Sequence, residues 1–242
     1  MAGNGPGIRG SGGLDSMAAA AGRPLALAAN MKNAIILFFR YPRLGKVKTR
    51  LAKMIGAEKA LDLYRRSLQK TILLFRAMPN CKVVFCVEPA PAVSLLRKAY
   101  GKGVDIFAQK GTDLGERMRL ALEAVLKAGA EKAVLIGADI PGLSEKILAA
   151  AFQELDQHQV VLGPAADGGY YLIGMKQMLP ELFFGMAWST ETVFSKTLSV
   201  LQRAGISYSL LPELCDLDSA EDLPYVKDFL EESKTGSGGT PE

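Results

Sequence analysis

The stretch "AIILFFRYPRLGKVKTRLAKM", residues 34–54, joins an apolar run to a basic turn and then to the start of a helical pattern. Four cations, Arg43, Lys46, Lys48 and Arg50, lie within eight residues of one another around a single glycine. Two interpretations are open: a solvated basic turn, or a cradle for phosphate groups where a buried strand ends. The GxxxxGK[ST] spacing of a Walker A loop is absent, so the stretch is not a P-loop of that type.

Short apolar runs alternate with longer amphipathic segments along the rest of the chain. Apolar residues spaced three and four apart predict helices over residues 57–78, 115–129, 144–157 and 190–205. The apolar runs predict seven strands, over residues 34–39, 82–87, 104–109, 132–139, 159–164, 170–175 and 206–211. This alternation predicts an α/β layer fold with a mostly parallel sheet, whose strands are covered on both faces.

Composition narrows the classes of function. The 242 residues, 49% of them apolar, suffice for one large domain with its own core. The net charge of +4 is small for a nucleic-acid-binding protein, and no apolar stretch reaches the roughly 18–20 residues of a membrane helix. Three cysteines without a CxxC pair and one histidine, His158, argue against a zinc site and against histidine-based catalysis. We therefore expect a cytoplasmic protein with free thiols that acts on small molecules.

The two ends of the chain differ in composition from the middle. Residues 1–30 are rich in glycine and alanine and predict a leader or flexible extension. Residues 31–233 carry the alternating pattern and predict the folded domain. Residues 234–242 predict a disordered tail.

Loops that follow strands are the places to search for chemistry, because ligands of open α/β sheets bind at the carboxyl ends of strands. Asp139 follows the run "AVLIG" and is placed to bind Mg²⁺, or it is a turn-forming aspartate. In "QKGTDLGERM", Gly115 and Arg117 stand near a helix start, and a helix capped by Asp113 with Glu116 three residues later explains most of that pattern.

Three later segments combine turn-forming residues with candidate site residues. Asp167-Gly168-Gly169 is typical of a hairpin turn, and its glycine pair would also let a ligand approach the backbone. The only tryptophan, Trp188, lies in "AWST". It is either a core aromatic beside a helix cap or part of a binding site. In "CDLDSAEDL" a helix cap accounts for Ser219 or for one aspartate, but not for both Asp216 and Asp218.

Six of these motifs occur in one order and carry a resemblance to a known family. They are "GKVKTRLA", "GTDLGERM", "IGADIPGLS", "GPAADGGYYLIGM", "WSTETVF" and "DLDSAEDL". Together they resemble the glycosyltransferase-like proteins related to the guanylyltransferase of coenzyme F420 synthesis, also described as radical-SAM/selenodomain-associated transferases. The wider resemblance is to the nucleotide-diphospho-sugar transferase superfamily, and it implies a GT-A-like three-layer sandwich with a mostly parallel mixed sheet.

The resemblance also implies roles for individual residues. The basic loop would hold nucleotide phosphates, Asp139 would bind the divalent metal, Mg²⁺ or Mn²⁺, and Asp218 would be the second metal ligand. The chain departs from the superfamily in its "RYPRLGKVKTR" opening and in having a lone aspartate in "GADIP" in place of Asp-x-Asp. The expected nucleotide-binding residues are Gly45, Lys46, Lys48, Arg50, Gly115 and Arg117. The expected acceptor-binding residues are Gly168, Gly169, Tyr170, Trp188 and Thr190.

The sequence therefore predicts a metal-dependent transferase that takes a nucleoside triphosphate or a nucleotide-sugar and a small-molecule acceptor. In nucleotidyl transfer, Lys48 and Arg50 would neutralise the charge that develops on phosphate oxygens. In glycosyl transfer, Asp167 would orient or deprotonate an acceptor hydroxyl. The alternative from another class is a non-catalytic, nucleotide-binding regulatory domain. The sequence leaves the base, the sugar, the acceptor and the oligomeric state open.

Overall fold

A computed structural model describes residues 32–215 of the chain. The expectations for residues 1–31 and 216–242, including the metal role of Asp218, the adjacent Asp216 and both terminal boundaries, lie outside the described residues. No helix within the described range is long and apolar enough to cross a lipid bilayer.

Seven strands and six α-helices follow one another along this range. The strands are β1 (Asn33–Arg40), β2 (Cys81–Glu88), β3 (Asp105–Ala108), β4 (Lys132–Gly137), β5 (Val160–Pro164), β6 (Tyr170–Met175) and β7 (Tyr208–Leu210). The helices are α1 (Thr49–Ile55), α2 (Ala57–Ala77), α3 (Ala92–Tyr100), α4 (Leu114–Lys127), α5 (Glu145–Gln157) and α6 (Val193–Arg203). Short 3₁₀ turns occur at Gly101–Gly103 and Pro180–Leu182.

All strands belong to one mixed sheet in the order β3-β2-β1-β4-β6-β5-β7. Strand β1 is central and pairs in parallel with β2 and β4, while β6 runs antiparallel to both β4 and β5. The α/β class and the mixed, mostly parallel sheet predicted from the sequence are therefore confirmed. The seven predicted strands are all present, with ends within two residues of the prediction.

Alternate residues of the central strand enter two separate cores, one on each face of the sheet. Ile35 and Leu37 pack with apolar residues of α2, α3 and α5 on one face, and Ala34 and Ile36 pack with α4 and α6 on the other. This alternation follows from the two-residue period of a strand. The result is a three-layer sandwich in which burial of both faces explains the continuous apolar runs.

The topology brings one set of loops to one edge of the sheet. Strands β1 to β4 are parallel, so the residues after Arg40, Glu88, Ala108 and Gly137 leave the sheet at the same edge. Because β6 runs antiparallel to β4, its first residue, Tyr170, also lies at this edge. The β5–β6 hairpin turn therefore joins the four parallel loops.

Candidate functional site

A two-lobed cleft lies along this edge of the sheet. The first lobe has a volume of about 590 Å³ and extends over the ends of β1, β2 and β4 and the segment after β3. The second lobe has a volume of about 570 Å³ and extends toward the hairpin turn and the start of α6. The residues shared by the two lobes are Arg40, Lys48, Thr49, Leu114, Trp188 and Ser189. Each lobe has a volume that suits a small organic ligand.

Lys48 and Asp139 form an ion pair at the junction of the lobes. The side chain of Lys48 is only 4% exposed, whereas that of Asp139 is 27% exposed and lines the first lobe. Lys48 was predicted to bind phosphate and Asp139 to bind metal. Without a ligand, the two side chains contact each other. Each charge is the counter-ion of the other, with the ammonium nearly buried and the carboxylate partly open to the cleft.

The backbone that carries Lys48 has an uncommon conformation. Lys48 has φ 49° and ψ 43°, in the left-handed region, and its carbonyl accepts a hydrogen bond from Ala52 N at 2.8 Å as α1 begins. A non-glycine residue in this region costs of order 1–3 kcal/mol, and such strain persists only where the surroundings hold it. Here the ion pair with Asp139 and the burial of the neighbouring Val47, which is 5% exposed, hold the turn.

A second charged group lines the first lobe. Glu88 Oε2 pairs with Arg117 at 3.0 Å and with Arg40 at 3.4 Å. Arg117 Nε also donates to the carbonyl of Gly111 at 3.1 Å, which fixes the guanidinium beside the cleft. The cations Arg40 and Arg117 thus have a local counter-ion in Glu88, one residue before the loop that follows β2.

Tyr64 of α2 clamps the end of β1. Its hydroxyl donates to the carbonyl of Arg40 at 2.8 Å and accepts from Arg40 N at 3.2 Å. Burial, and then the nearby negative charge of Asp139, raise the pKa of Tyr64 above its ordinary value. The tyrosine therefore stays neutral and acts as a fixed hydrogen-bonding support under the first lobe.

Trp188 lines both lobes, and its indole packs against the first turn of α4 at Gly115. A Cβ added at Gly115 would overlap the indole ring of Trp188, so only glycine fits beneath the ring. Phe183 stacks near the indole, with ring centroids 6.3 Å apart. Gly115, which the sequence predicts to bind nucleotide, lines neither lobe and packs against Trp188; its role in nucleotide binding stays a prediction.

The hairpin turn contributes Asp167, Gly169 and Tyr170 to the second lobe. Asp167 Oδ1 accepts from Gly169 N at 2.9 Å, which holds the carboxylate within its own turn. Gly168 has φ 83°, its carbonyl accepts from Phe194 N at 2.9 Å, and a Cβ there would overlap the backbone of Glu191. Gly168 was expected to let a ligand approach the backbone. In the structure it lets the backbone of the loop before α6 approach.

Tyr170 is the most unusual polar group of the second lobe. Its hydroxyl is buried and has no hydrogen-bond partner among residues 32–215. Burial raises the pKa of Tyr170 above its ordinary value, so the group remains a neutral phenol. Nearby on the same lobe, Thr190 donates to the carbonyl of Ala187 at 2.7 Å.

The other residues of the basic turn differ in their position relative to the two lobes. Lys46 lines the first lobe and Arg50 the second, so the basic turn serves both. Gly45 has φ 68°, is exposed, and lines neither lobe; its role is to allow the turn. Arg43 lies over the ring of Tyr41, 5.7 Å from its centroid, outside both lobes.

The donors that could hold a metal ion are few in the described part of the chain. No cluster of three or more histidine, cysteine, aspartate or glutamate side chains suited to a metal occurs within residues 32–215. Asp139 is the carboxylate at the centre of the cleft. A single protein carboxylate fits Mg²⁺, which takes one or two carboxylates and fills its other positions with substrate phosphates and water.

Sequence reasoning missed several residues that line the first lobe, above all Arg40, Tyr64, Glu88 and Gln109. Arg40 and Glu88 are the last residues of β1 and β2, and Gln109 follows β3 directly. The rule that ligands bind at the carboxyl ends of strands would have found these three, since each is a polar residue at such an end. Tyr64 lies within a helical pattern that gave no such signal.

The comparisons with known proteins agree with this architecture. The family model described as "Uncharacterized protein conserved in bacteria (DUF2064)" matches residues 71–190. A crystal structure from Desulfovibrio desulfuricans G20, described provisionally as a nucleotide-diphospho-sugar transferase, is 33% identical with a TM-score of 0.76 and covers 86% of this chain and 90% of that one. The chain belongs to the same family as this Desulfovibrio desulfuricans protein, and its fold is that of the nucleotide-diphospho-sugar transferases.

Two further relatives extend the comparison. The phosphoenolpyruvate guanylyltransferase of Sphaerobacter thermophilus is 27% identical over 122 residues, a match that spans 50% of this chain and 58% of the length of that curated protein. The 4-diphosphocytidyl-2C-methyl-D-erythritol synthase of Anaerococcus prevotii shares the fold, with 11% identity, a TM-score of 0.53 and coverage of 85% of this chain and 100% of that one. The narrower radical-SAM/selenodomain-associated type stays a prediction.

Proposed function

We propose that this chain is a metal-dependent nucleotidyltransferase, which transfers a nucleoside monophosphate from a nucleoside triphosphate to an anionic small molecule. The observation that carries the proposal is the meeting of two lobes at the Lys48–Asp139 pair. A group-transfer enzyme must hold a donor and an acceptor on either side of the transferred group. At the junction a nearly buried cation and a partly open carboxylate lie together.

The donor belongs in the first lobe, with its phosphates at the junction. Lys46 and Lys48 supply positive charge there, and Asp139 supplies a hard oxygen ligand for Mg²⁺. A bound Mg²⁺ would supply positive charge that neutralises the phosphate oxygens. Asp139 would hold the ion, with Asp218 as the second ligand expected from the sequence.

The acceptor belongs in the second lobe, where Arg50, Arg40 and Lys48 offer positive charge. An oxygen of its phosphate or carboxylate attacks the α-phosphorus, and the bond from that phosphorus to the bridging oxygen breaks. Pyrophosphate leaves with the bonding electron pair. Lys48 is the side chain placed to neutralise the non-bridging oxygens that gain charge, and electrostatic stabilisation of this kind needs no histidine.

The named activity of the Sphaerobacter thermophilus relative supports nucleotidyl transfer as the reaction and a guanine nucleotide as the donor. It also supports an acceptor that carries both phosphate and carboxylate groups. Such an acceptor suits the cations of the second lobe. Three cysteines that are free within the described range agree with the reducing environment of the cytoplasm, where we place the protein.

Glycosyl transfer is the second candidate, and one observation favours it. Asp167 lines the second lobe and uses Oδ1 within its own turn, which leaves Oδ2 as the oxygen that could accept a proton from an acceptor hydroxyl. The two reactions differ in their products. Nucleotidyl transfer releases pyrophosphate from a nucleoside triphosphate, whereas glycosyl transfer releases a nucleoside diphosphate from a nucleotide-sugar.

The test combines binding with product analysis. Each nucleoside triphosphate and a set of nucleotide-sugars are added with Mg²⁺ or with chelator, and thermal unfolding is followed; a ligand at 100 times its Kd adds about 2.7 kcal/mol of stability. The stabilising donors are then incubated with phosphoenolpyruvate and other phosphorylated or carboxylated acceptors. Pyrophosphate and a nucleotidylated acceptor are expected. Release of nucleoside diphosphate would replace the proposal with glycosyl transfer, and binding without any turnover would replace it with a regulatory domain.

A further inference from the structure

One side-chain amide in the first lobe is held in a fixed orientation. Gln109 follows β3, and its backbone N–H extends the sheet by donating to the carbonyl of Val87 at 2.9 Å. Its side-chain Nε2 donates to two strand carbonyls, that of Phe39 at 3.0 Å and that of Cys86 at 3.1 Å. The two N–H groups of the amide are thereby both used.

These two hydrogen bonds decide which way the amide faces. A flipped amide would place Oε1 against two carbonyl oxygens, with no proton between them, so the chemistry of the partners excludes that orientation. Gln109 lines the first lobe, and its Oε1 receives no hydrogen bond from any residue in the range 32–215. Within that range the buried side-chain atoms without a hydrogen-bond partner are Arg119 Nε and Tyr170 Oη. Gln109 Oε1 is not one of them, so it is open to the lobe. The lobe therefore contains a rigid acceptor to which no residue of the described range donates.

Glu88 is a second acceptor in the same lobe, on the neighbouring strand β2. Its charge is balanced by Arg117 and Arg40, so it can accept a hydrogen bond without repelling the phosphates of a nucleotide. Gln109 and Glu88 lie at the ends of adjacent strands, while Lys48 and Asp139 occupy the junction with the second lobe. The lobe thus presents two acceptors on neighbouring strands, Gln109 Oε1 and the carboxylate of Glu88.

We propose that Gln109 is a specificity-determining residue whose Oε1 accepts a hydrogen bond from an N–H group of guanine. Guanine alone among the four common bases presents two adjacent N–H donor positions on one edge, N1–H and the 2-amino group. Two acceptors on adjacent strands match such an edge. This inference rests on the proposed function, because it assumes that a nucleoside triphosphate occupies the first lobe.

The first experiment measures binding by wild-type protein with Mg²⁺ and without acceptor, by calorimetry. The probes are GTP, ATP, ITP, which lacks the 2-amino group, and N1-methyl-GTP, which lacks N1–H. We expect ATP and at least one of the two guanine analogues to bind on the order of tenfold more weakly than GTP, because a site built around a hydrogen bond rejects ligands that leave its buried group unpaired. Equal affinity for all four probes would overturn the inference.

The second experiment uses Gln109→Leu, with Gln109→Met as a variant that keeps the unbranched stem. The preference for GTP over ATP should fall to within about threefold, while the affinity for inorganic triphosphate should change by less than about threefold, since the phosphate contacts remain. Gln202→Leu is the matched control, because Gln202 is an exposed glutamine of α6 that bonds Tyr208 at 3.2 Å and lines neither lobe. A variant at Gln109 that folds and keeps the wild-type preference would overturn the inference.

The outcomes separate this inference from the proposed function. If no nucleoside triphosphate binds with Mg²⁺, the proposed function fails, and the role of Gln109 fails with it. If nucleotides bind and are turned over without a preference for guanine, the proposed function stands and only the role of Gln109 fails.

Discussion

Lys48 and Asp139 form an ion pair, which the binding of a nucleotide and its metal ion would break. In the chain alone, the ammonium of Lys48 neutralises Asp139 at the junction of the lobes. A triphosphate offers Lys48 another anion, and a metal ion offers Asp139 another cation. We therefore expect donor and metal to bind together, with each making the other's site available, and we expect little binding of metal alone.

Replacing Lys48 by methionine should have opposite effects on the two ligands. Nucleotide affinity should fall by about 1.5–3 kcal/mol, the range for charged hydrogen bonds, while affinity for Mn²⁺ alone should rise because Asp139 loses its internal cation. Calorimetry measures the first effect and electron paramagnetic resonance of free Mn²⁺ the second. Lys127→Met is the control, since Lys127 is an exposed lysine that pairs with Glu123 on α4. Unchanged Mn²⁺ binding in Lys48→Met would contradict the exchange.

Replacing Asp139 by asparagine should remove the Mg²⁺ dependence of nucleotide binding. It should also lower the free energy of unfolding by about 1–3 kcal/mol, because a nearly buried ammonium loses a charged partner and the partial exposure of Asp139 reduces the cost. Titrations with Mg²⁺ and with chelator test the first effect, and urea unfolding tests the second. Asp156→Asn provides the control, as it breaks the more exposed Lys132–Asp156 pair of 2.5 Å. A full Mg²⁺ effect in Asp139→Asn would place the metal elsewhere.

At the scale of secondary-structure elements, the cleft depends on the start of α4 and on the segment before α6. Helix α4 begins after Asp113, whose side chain accepts from Glu116 N at 2.8 Å, and its first turn then passes under Trp188 through Gly115. The carboxylate of Glu116 bonds Thr112, which lowers the pKa of Glu116. A firmly capped helix start thus supports the aromatic ring that both lobes share.

Gly115→Ala tests this packing. Alanine favours a helix by about 1 kcal/mol over glycine, but here its methyl group would overlap the indole of Trp188. We expect a net loss of about 1–3 kcal/mol, as for other overpacked sites, and a shift in the emission of the chain's only tryptophan. Gly103→Ala is the control, since its added methyl group meets no atom within 4 Å. Stability and emission unchanged from wild type in Gly115→Ala would contradict the packing of Gly115 against Trp188.

At the scale of the whole molecule, burial in the two cores controls how stability depends on alkaline pH. Burial raises the pKa of Cys86 to about 12 and that of Cys81 to about 11, from an ordinary value of 9.0. It also raises the pKa of Tyr171 to about 12 from 10.0. The folded chain therefore keeps protons that the unfolded chain releases.

The sign of the pH dependence follows from this difference in protons. The stabilising contribution of the thiols is complete below pH 9 and is lost as the pH rises from 9 toward 12, because only the unfolded state ionises freely in that range. Urea midpoints measured from pH 8 to 11 should fall steadily. In Cys86→Ala the urea midpoint should fall less steeply with pH than in wild type, whatever the variant's free energy of unfolding at pH 8. A slope identical to that of wild type would show that Cys86 is not protected from ionisation.

The sequence by itself determined the layers of the fold and pointed to the strand-end loops that line the cleft. Apolar runs marked all seven strands, because a strand buried on both faces needs apolar residues at nearly every position. Asp113, Gly129 and Ser144 marked helix ends that the structure confirms, since capping is a local interaction. Helix α3 was missed, because its nine residues are too few for a clear helical period.

Only the tertiary structure decided what those residues contact. Lys48 and Asp139 are separated by 91 positions, and no local pattern records that they form an ion pair. Gly115 was expected to meet a nucleotide and meets Trp188, and Gly168 was expected to meet a ligand and meets Glu191. The position of Gln109 after a strand was visible in the sequence, but the orientation of its amide is set by carbonyls of two other strands. Periodicity and capping act over a few residues, whereas a binding site is formed by side chains that only the folded sheet brings together.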